Sequence, residues 1–121
     1  MKIAIPVDEQ NIKTTVCMSY GRTPFFMLYD TDTEKAEYLD NGAISAMGGA
    51  GIKASQSIVD AGADVVLTQR CGENAAEVLN AAGIPMYKAT QKTAMENIKA
   101  YQDGKLLPLT KTHPGFQHQG N

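Results

Sequence analysis

Two cysteines, Cys17 and Cys71, are the side chains of this sequence best suited to binding a soft metal. Arg70 directly precedes Cys71, and Arg22 follows Cys17 in the same polar segment. Thiolates are ligands for iron–sulfur clusters and for clusters that contain copper or molybdenum. Because Cys71 stands beside a cation and before a predicted helix, we expect the pKa of its thiol to be lowered. Three alternatives stay open: Cys71 simply fits a tight turn, Cys17 has no role, or the two cysteines form a reversible disulfide.

A glycine-rich segment, Gly48-Gly49-Ala50-Gly51, precedes another predicted helix. Main-chain amides at a helix start can bind an anion, so this segment is a candidate site for a negatively charged cluster. It lacks the Lys-Ser/Thr ending of a phosphate-binding loop and does not match the dinucleotide fingerprint. The alternative is an ordinary flexible loop.

The hydrophobic pattern predicts eight elements in the order β-β-β-α-β-α-β-α. Ile3, Ile5 and Val7 alternate as in a strand, and the run Val65-Val66-Leu67 is typical of a strand buried on both faces. Short connections make the first three strands an antiparallel meander, and two right-handed crossovers add the last two. The sequence therefore predicts an α/β fold with three layers. Its five-stranded mixed sheet has the order 3-2-1-4-5 with strand 2 antiparallel, similar to the ribonuclease H-like motif.

Strands 1, 3, 4 and 5 of this topology run in the same direction, so the loops that follow them emerge at one edge of the sheet. These loops are 8–23, 40–51, 70–74 and 88–92. The candidate binding residues that we expect at this rim are Cys17, Tyr20, Gly21, Arg22, Met47, Gly48, Gly49, Gly51, Arg70, Cys71 and Gly72.

Composition limits the classes of function. The chain has 121 residues and a net charge of -2, so it has no basic field that would attract nucleic acid or an anionic membrane. The N-terminus begins as a strand without a signal sequence, and we expect a cytoplasmic protein with reduced cysteines. Residues 1–104 are predicted to form one domain and residues 105–121 a polar, flexible tail. The tail contains His113 and His118, which could still fold over a bound metal.

Two enzyme classes are alternatives to a binding protein. A nuclease that uses two metal ions needs several carboxylates at strand ends, and only Asp8 stands at such a position, so this class is rejected. A thiol-redox enzyme stays open as an alternative, although the chain has no Cys-X-X-Cys pair.

Short motifs occur in a fixed order along the chain. They are MKIAIPVD at 1–8, YGRTPFF at 20–26, GAG at 49–51, GADVV at 62–66, GENA at 72–75, Gly83-Ile84 and YQDGKL at 101–106. In this order and spacing they resemble the dinitrogenase iron–molybdenum cofactor biosynthesis family, which includes NifX-type carriers and the tail domain of the NifB synthase. The resemblance spans residues 1–107. One departure is Ser19, since members often have a histidine there, and this raises the interest of the two cysteines.

The resemblance implies a ribonuclease H-like fold that binds, stores or transfers an anionic metal–sulfur cluster without catalysis. The cluster would be the iron–molybdenum cofactor, a precursor, or a related sulfide of molybdenum, iron or copper, bound non-covalently or through thiolates. Candidate metal ligands are Cys71, Cys17, His113 and His118. Donor and acceptor proteins would be the partners of a monomer or weak homodimer. The alternative is a sensor module that binds a small anion or a protein at the same rim.

Overall fold

A five-stranded mixed sheet forms the centre of the computed structural model, which describes residues 1–41 and 49–110. The elements are β1 Lys2–Val7, β2 Phe25–Asp30, β3 Lys35–Asp40, α1 Ala50–Asp60, β4 Val65–Thr68, α2 Glu73–Ala81, β5 Met86–Lys88 and α3 Ala94–Gln102. The strand order is β3-β2-β1-β4-β5, as predicted, and the order of the eight elements is also confirmed. No helix within these two ranges is long and apolar enough to cross a membrane.

The pairing of β1 explains the arrangement of the sheet. β1 is antiparallel to β2 and parallel to β4, while β2 pairs with β3 in antiparallel and β4 with β5 in parallel orientation. From Ile3 to Val7 every residue of β1 is buried, because this central strand has neighbours on both edges and layers on both faces. Parallel strands β1, β4 and β5 end at one edge of the sheet, where the predicted site residues follow them.

The alternation of side chains along the strands separates two hydrophobic clusters. On one face, Ala4 and Val66 belong to the cluster that includes Ile58 of α1 and Leu79 of α2. On the other face, strand residues such as Ile3, Ile5 and Leu67 form a cluster with Ile98 of α3. The sheet therefore lies between two helices on one side and one helix on the other, which gives the predicted three layers.

The segment 8–23 is folded back along the end of β1. Its Val16 forms a bridge with Val7, and Thr15 forms a bridge with Thr93 at the start of α3. The Val16 amide also donates to the carbonyl oxygen of Lys92 at 3.0 Å. These contacts attach the segment to the loop after β5, an arrangement that the local sequence pattern did not predict.

The chain continues to pack against the sheet after α3. The Lys88 amide of β5 donates to the carbonyl oxygen of Leu107 at 2.8 Å, and the Leu109 amide donates to the carbonyl oxygen of Met86 at 2.9 Å. Leu106 is buried in the cluster that contains α3. Residues 106–109 therefore add main-chain pairing to β5 beyond residue 104, the predicted end of the domain.

Candidate functional site

Three of the predicted loops meet at close range at one edge of the sheet. A Cβ atom on Gly21 would lie 3.1 Å from the main-chain nitrogen of Gly51, in the first turn of α1. A Cβ atom on Gly51 would in turn lie 3.0 Å from the Cβ of Ala75, in the first turn of α2. Glycine at both positions thus allows the segment 8–23 and the starts of α1 and α2 to pack against one another. This meeting point of Gly21, Gly51 and Ala75 is the centre of the rim.

Both helix starts at the rim are capped by glycine. Gly49 precedes α1 with φ 68° and ψ 20°, a left-handed conformation that favours glycine, and Gly72 precedes α2 in an extended conformation. Neither start has a side-chain hydrogen bond to its cap. The first turn of α1 contains no acidic residue, whereas the first turn of α2 contains Glu73. The first amides of a helix lack partners within the helix, and the dipole makes this end positive. The start of α1 can therefore attract an anion, while Glu73 offsets the positive end of α2.

Tyr20 points into the core directly below the rim. Its side chain is 4% exposed, and its ring packs edge-on against Phe26 with centroids 5.4 Å apart. The Tyr20 hydroxyl lies 2.9 Å from Oγ of Ser55, and Ser55 Oγ donates to the carbonyl oxygen of Ala75 at 2.9 Å. Burial raises the pKa of Tyr20, so the phenol stays protonated near neutral pH. Tyr20 thus connects the segment 8–23 to both α1 and α2.

Cys71 lies in the same buried cluster, and the expected lowering of its pKa was wrong. Its side chain is 1% exposed, and burial raises the pKa of the thiol to about 12. The cost of removing a thiolate from water exceeds the stabilisation that Arg70 and the start of α2 provide. At neutral pH Cys71 is therefore a protonated thiol packed with apolar groups, beside Tyr20 and Ala75 in one cluster.

Cys17 differs from Cys71 because it is only half-buried, and both cysteines are free thiols. The Cys17 amide donates to the carbonyl oxygen of Pro6 at 2.9 Å, which fixes its main chain at the end of β1. The adjacent Met18 is 65% exposed. Within residues 1–41 and 49–110, no group of three His, Cys, Asp or Glu side chains could bind a metal ion.

Two exposed arginines stand at the ends of the loops that meet at the rim. The Arg22 amide donates to Oγ of Ser19 at 3.0 Å, so the serine that replaces the expected histidine organises this turn. The carbonyl oxygen of Arg70 accepts a hydrogen bond from Oγ1 of Thr68 at 3.0 Å. Hydroxyl groups therefore fix the main chain at both arginines.

Several buried polar side chains of the described residues were not among the predicted site residues. Asn41 donates from Nδ2 to the carbonyl oxygens of Gly21 and Thr23, at 2.9 and 2.8 Å. Asn97 and Ser55 are both fully buried. The serine was visible in the sequence as a polar residue on the apolar face of a predicted helix, and that pattern is a usable signal for a buried hydrogen bond.

Four predicted site residues cannot be placed, because Met47, Gly48, His113 and His118 lie outside the described residues. Their roles stay predictions. The other predicted residues lie in the segment 17–22, around the start of α1, or in the turn between β4 and α2.

The chain matches one family model and is similar to several known proteins. The family described as dinitrogenase iron-molybdenum cofactor matches residues 1–104. An uncharacterized protein from Methanocaldococcus jannaschii is 30% identical over 109 residues, which cover 88% of this chain and 89% of that protein. The apo form of the orange protein from Desulfovibrio gigas is 32% identical with a TM-score of 0.86, covering 90% of this chain and 92% of the other. A Thermotoga protein described as NifB is 32% identical with a TM-score of 0.81, covering 98% of both chains.

Proposed function

The chain belongs to the dinitrogenase iron-molybdenum cofactor family, and from that membership we propose that it binds an anionic metal–sulfur cluster at the rim and releases it to another protein. The cargo is the iron–molybdenum cofactor, a precursor, or a related sulfide of molybdenum, iron or copper. The work is binding and release, without catalysis, between a donor and an acceptor protein.

The observation that carries this proposal is the meeting of two helix starts behind Gly21. The first turns of α1 and α2 touch where Gly51 faces Ala75, so their main-chain amides lie side by side, and the start of α1 has no acidic residue to offset its positive end. Arg22 and Arg70 add two cations in the adjoining turns. Amides and guanidinium groups bind the sulfur and oxygen atoms of a negatively charged cluster without a covalent bond.

The two cysteines contribute unequally in this proposal. Cys71 is buried and protonated at neutral pH, so it lines the floor beneath the rim and does not act as a ligand in this conformation. Cys17 is the more accessible thiol and is the candidate soft ligand. Retention of the cluster then rests mainly on amides and arginines.

Titration of anaerobically purified protein tests the proposal. We expect tetrathiomolybdate and iron–sulfide clusters to raise the unfolding temperature and to give charge-transfer absorption when bound. Phosphate and nucleotides serve as comparison ligands of the same charge sign. Stabilisation by nucleotides alone, with a colourless protein, would instead support a sensor module for small anions.

Single substitutions distinguish binding of the cluster through arginine charge from binding through a cysteine ligand. Arg22→Ala and Arg70→Ala should weaken retention, and more salt should reduce the difference from the wild type because charge is screened. Lys2→Ala is the matched control, because it removes the same charge at the start of β1, the end of the strand that lies away from the rim. Cys17→Ser should change the charge-transfer spectrum, whereas Cys71→Ala should leave its band positions unchanged. The reverse result for the two cysteines would refute the proposed mode of binding.

A further inference from the structure

We propose that Tyr20 and Ser55 are positioning residues that fix the two helix starts of the rim at one spacing and thereby slow the release of the cargo. The inference rests on the proposed function, but the hydrogen bonds that support it are features of the protein alone. Neither side chain needs to touch the cargo, since Tyr20 is 4% and Ser55 is 0% exposed.

The direction of the hydrogen bonds follows from the number of available protons. Ser55 has one hydroxyl proton, and the carbonyl oxygen of Ala75 can only accept, so Ser55 donates to Ala75 at 2.9 Å. The Tyr20 hydroxyl must then donate to Oγ of Ser55, also at 2.9 Å. The result is a directed chain from the segment 8–23 through α1 to α2.

This chain joins the same three elements that meet in the glycine contact. Gly21 follows Tyr20 and approaches Gly51, and Ser55 stands one helical turn after Gly51. Ala75 accepts the hydrogen bond from Ser55 with its carbonyl group and faces Gly51 with its Cβ atom. Two independent contacts, one polar and one steric, therefore fix the position of α1 relative to α2.

Burial makes the polar contact costly to lose. A buried hydroxyl without a partner loses its hydrogen bonds to water and gains none in return, so both hydroxyls favour the one arrangement that pairs them. Fixed spacing of the helix starts keeps the first-turn amides oriented before the cargo arrives. Such preorganisation reduces the ordering cost of binding and is expected to lower the rate of dissociation.

The test uses Tyr20→Phe, Ser55→Ala and the double variant in the full chain. Ser57→Ala is the matched control, because Ser57 lies on the same helix but is exposed. Ile98→Val provides a destabilised protein with a change on the opposite face of the sheet. The measurements are the release rate of tetrathiomolybdate, the circular dichroism of its charge-transfer band, and hydrogen exchange without cargo. Exchange is followed at the first hydrogen-bonded amides of α1 and α2, residues 53–56 and 76–79.

We expect Ser55→Ala to release tetrathiomolybdate about tenfold faster, the factor that corresponds to one ordinary hydrogen bond. The same variant should weaken the induced circular dichroism and accelerate exchange of the first hydrogen-bonded amides of both helices. Tyr20→Phe should act in the same direction, and the double variant should resemble Ser55→Ala because both changes break one chain. Ser57→Ala and Ile98→Val should retain wild-type release and dichroism.

The outcomes distinguish this inference from the proposed function. Failure of the wild type to bind tetrathiomolybdate or an iron–sulfide cluster would overturn the proposed function, while faster exchange in Ser55→Ala would still support the positioning of the helix starts. Binding by the wild type with unchanged release and exchange in Ser55→Ala would overturn the positioning role. Equal acceleration of release in Ile98→Val would also overturn it, because the effect would then follow global stability.

Discussion

At the scale of single residues, desolvation raises the pKa of the ionisable groups beneath the rim. Tyr20 and Cys71 lie in one apolar cluster, and burial is the largest cause of the raised pKa of each. A charged phenolate or thiolate would lose its hydration there without gaining a cation as a partner in the cluster. Both groups are therefore neutral over the pH range in which most proteins work.

This arrangement predicts a loss of stability in alkaline solution. The ordinary pKa of a cysteine thiol is 9.0, whereas Cys71 keeps its proton to about pH 12 in the folded chain. Between these values the folded chain binds more protons than the unfolded chain, so the free energy of unfolding falls as the pH rises. The slope from this one group rises with pH and approaches about 1.4 kcal/mol per pH unit well above the ordinary pKa of the thiol. Urea unfolding at several pH values between about 8 and 10.5 measures it.

The control for this prediction is Cys71→Ala, which removes the thiol but leaves the other titrating groups in place. Its absolute stability will be lower because the side chain is truncated, so the comparison uses slopes alone. The slope between pH 9 and 10 should be shallower than in the wild type. Tyr20 should add its own contribution to both proteins above its ordinary pKa of 10.0. Parallel slopes in the two proteins would show that Cys71 ionises freely in the folded state.

The position of Cys71 could be predicted from the sequence, but its environment could not. A strand followed by Arg70, a glycine and a helical pattern placed the cysteine correctly at the rim. Whether the thiol points to solvent or to the core depends on what covers it, and Tyr20 comes from a distant part of the chain. Local charge therefore predicted a lowered pKa, and long-range burial determined a raised one.

At the scale of elements, the contact between α1 and α2 depends on the absence of one methyl group. Gly51→Ala would place a Cβ atom 3.0 Å from the Cβ of Ala75, and a short rigid side chain cannot rotate away. Overpacking costs about 1–3 kcal/mol, whereas alanine gains up to about 1 kcal/mol over glycine in a helix. We expect a net loss of stability, measured by urea unfolding, and faster release of the cargo.

The double variant Gly51→Ala/Ala75→Gly is the control for this contact. It exchanges the two residues between the helices, so the composition and the sum of helix propensities stay the same. If the methyl clash causes the loss, the double variant should recover most of the stability. No recovery would show that the conformation of Gly51 itself, and not its contact with Ala75, is required.

The main-chain conformation of the loop after β5 is fixed by hydrogen bonds to one buried side chain of α3. Oδ1 of Asn97 accepts from the amides of Thr90 and Gln91, each at 3.0 Å, and Nδ2 donates to the carbonyl oxygens of Gln91 and Thr93, at 3.1 and 2.8 Å. Asn97→Ala should reduce the free energy of unfolding by about 3 kcal/mol or more, because several main-chain groups lose their partner. Asn80→Ala is the control, because Asn80 of α2 is exposed. Urea unfolding measures both variants, and a similar loss of free energy of unfolding in Asn80→Ala would contradict this explanation.

The order of the elements could be predicted because each has its own local signal. Alternating apolar residues indicated β1, and the Thr93–Glu96 pattern indicated the start of α3, where the capping box is present. The bridges of the segment 8–23 carry no such signal. Thr15 pairs with Thr93, which lies far from it along the chain, so this pairing is a consequence of the tertiary fold and not of a pattern within the segment.

At the scale of the whole molecule, the sheet ends in two different ways. β3 forms one edge, and its Lys35 and Glu37 are exposed charged residues of the kind that discourage pairing with another chain. At the other edge, residues 106–109 pair with β5, and Pro108 forms a bridge with Tyr87. The chain thus covers its own hydrogen-bonding groups at the edge beyond β5.

Two truncations test the contribution of this last segment to the domain. A chain of residues 1–104 loses the buried Leu106 and two main-chain hydrogen bonds to β5, whereas a chain of residues 1–110 keeps them. Burial of one leucine contributes about 2 kcal/mol and each hydrogen bond about 1 kcal/mol, so the shorter chain should be less stable by about 4 kcal/mol. Both truncations lack residues 111–121, so the comparison isolates residues 105–110.

Urea unfolding measures this difference, and light scattering measures association of the shorter chain through its uncovered β5 edge. Leu107→Ser in the longer chain is the control, because Leu107 is 75% exposed and contributes its carbonyl oxygen and not its side chain to the pairing. Leu106→Ala should by contrast cost about 2–4 kcal/mol. Equal stability of the two truncations would place the end of the domain at residue 104, with the contacts of residues 106–109 making no net contribution to folding.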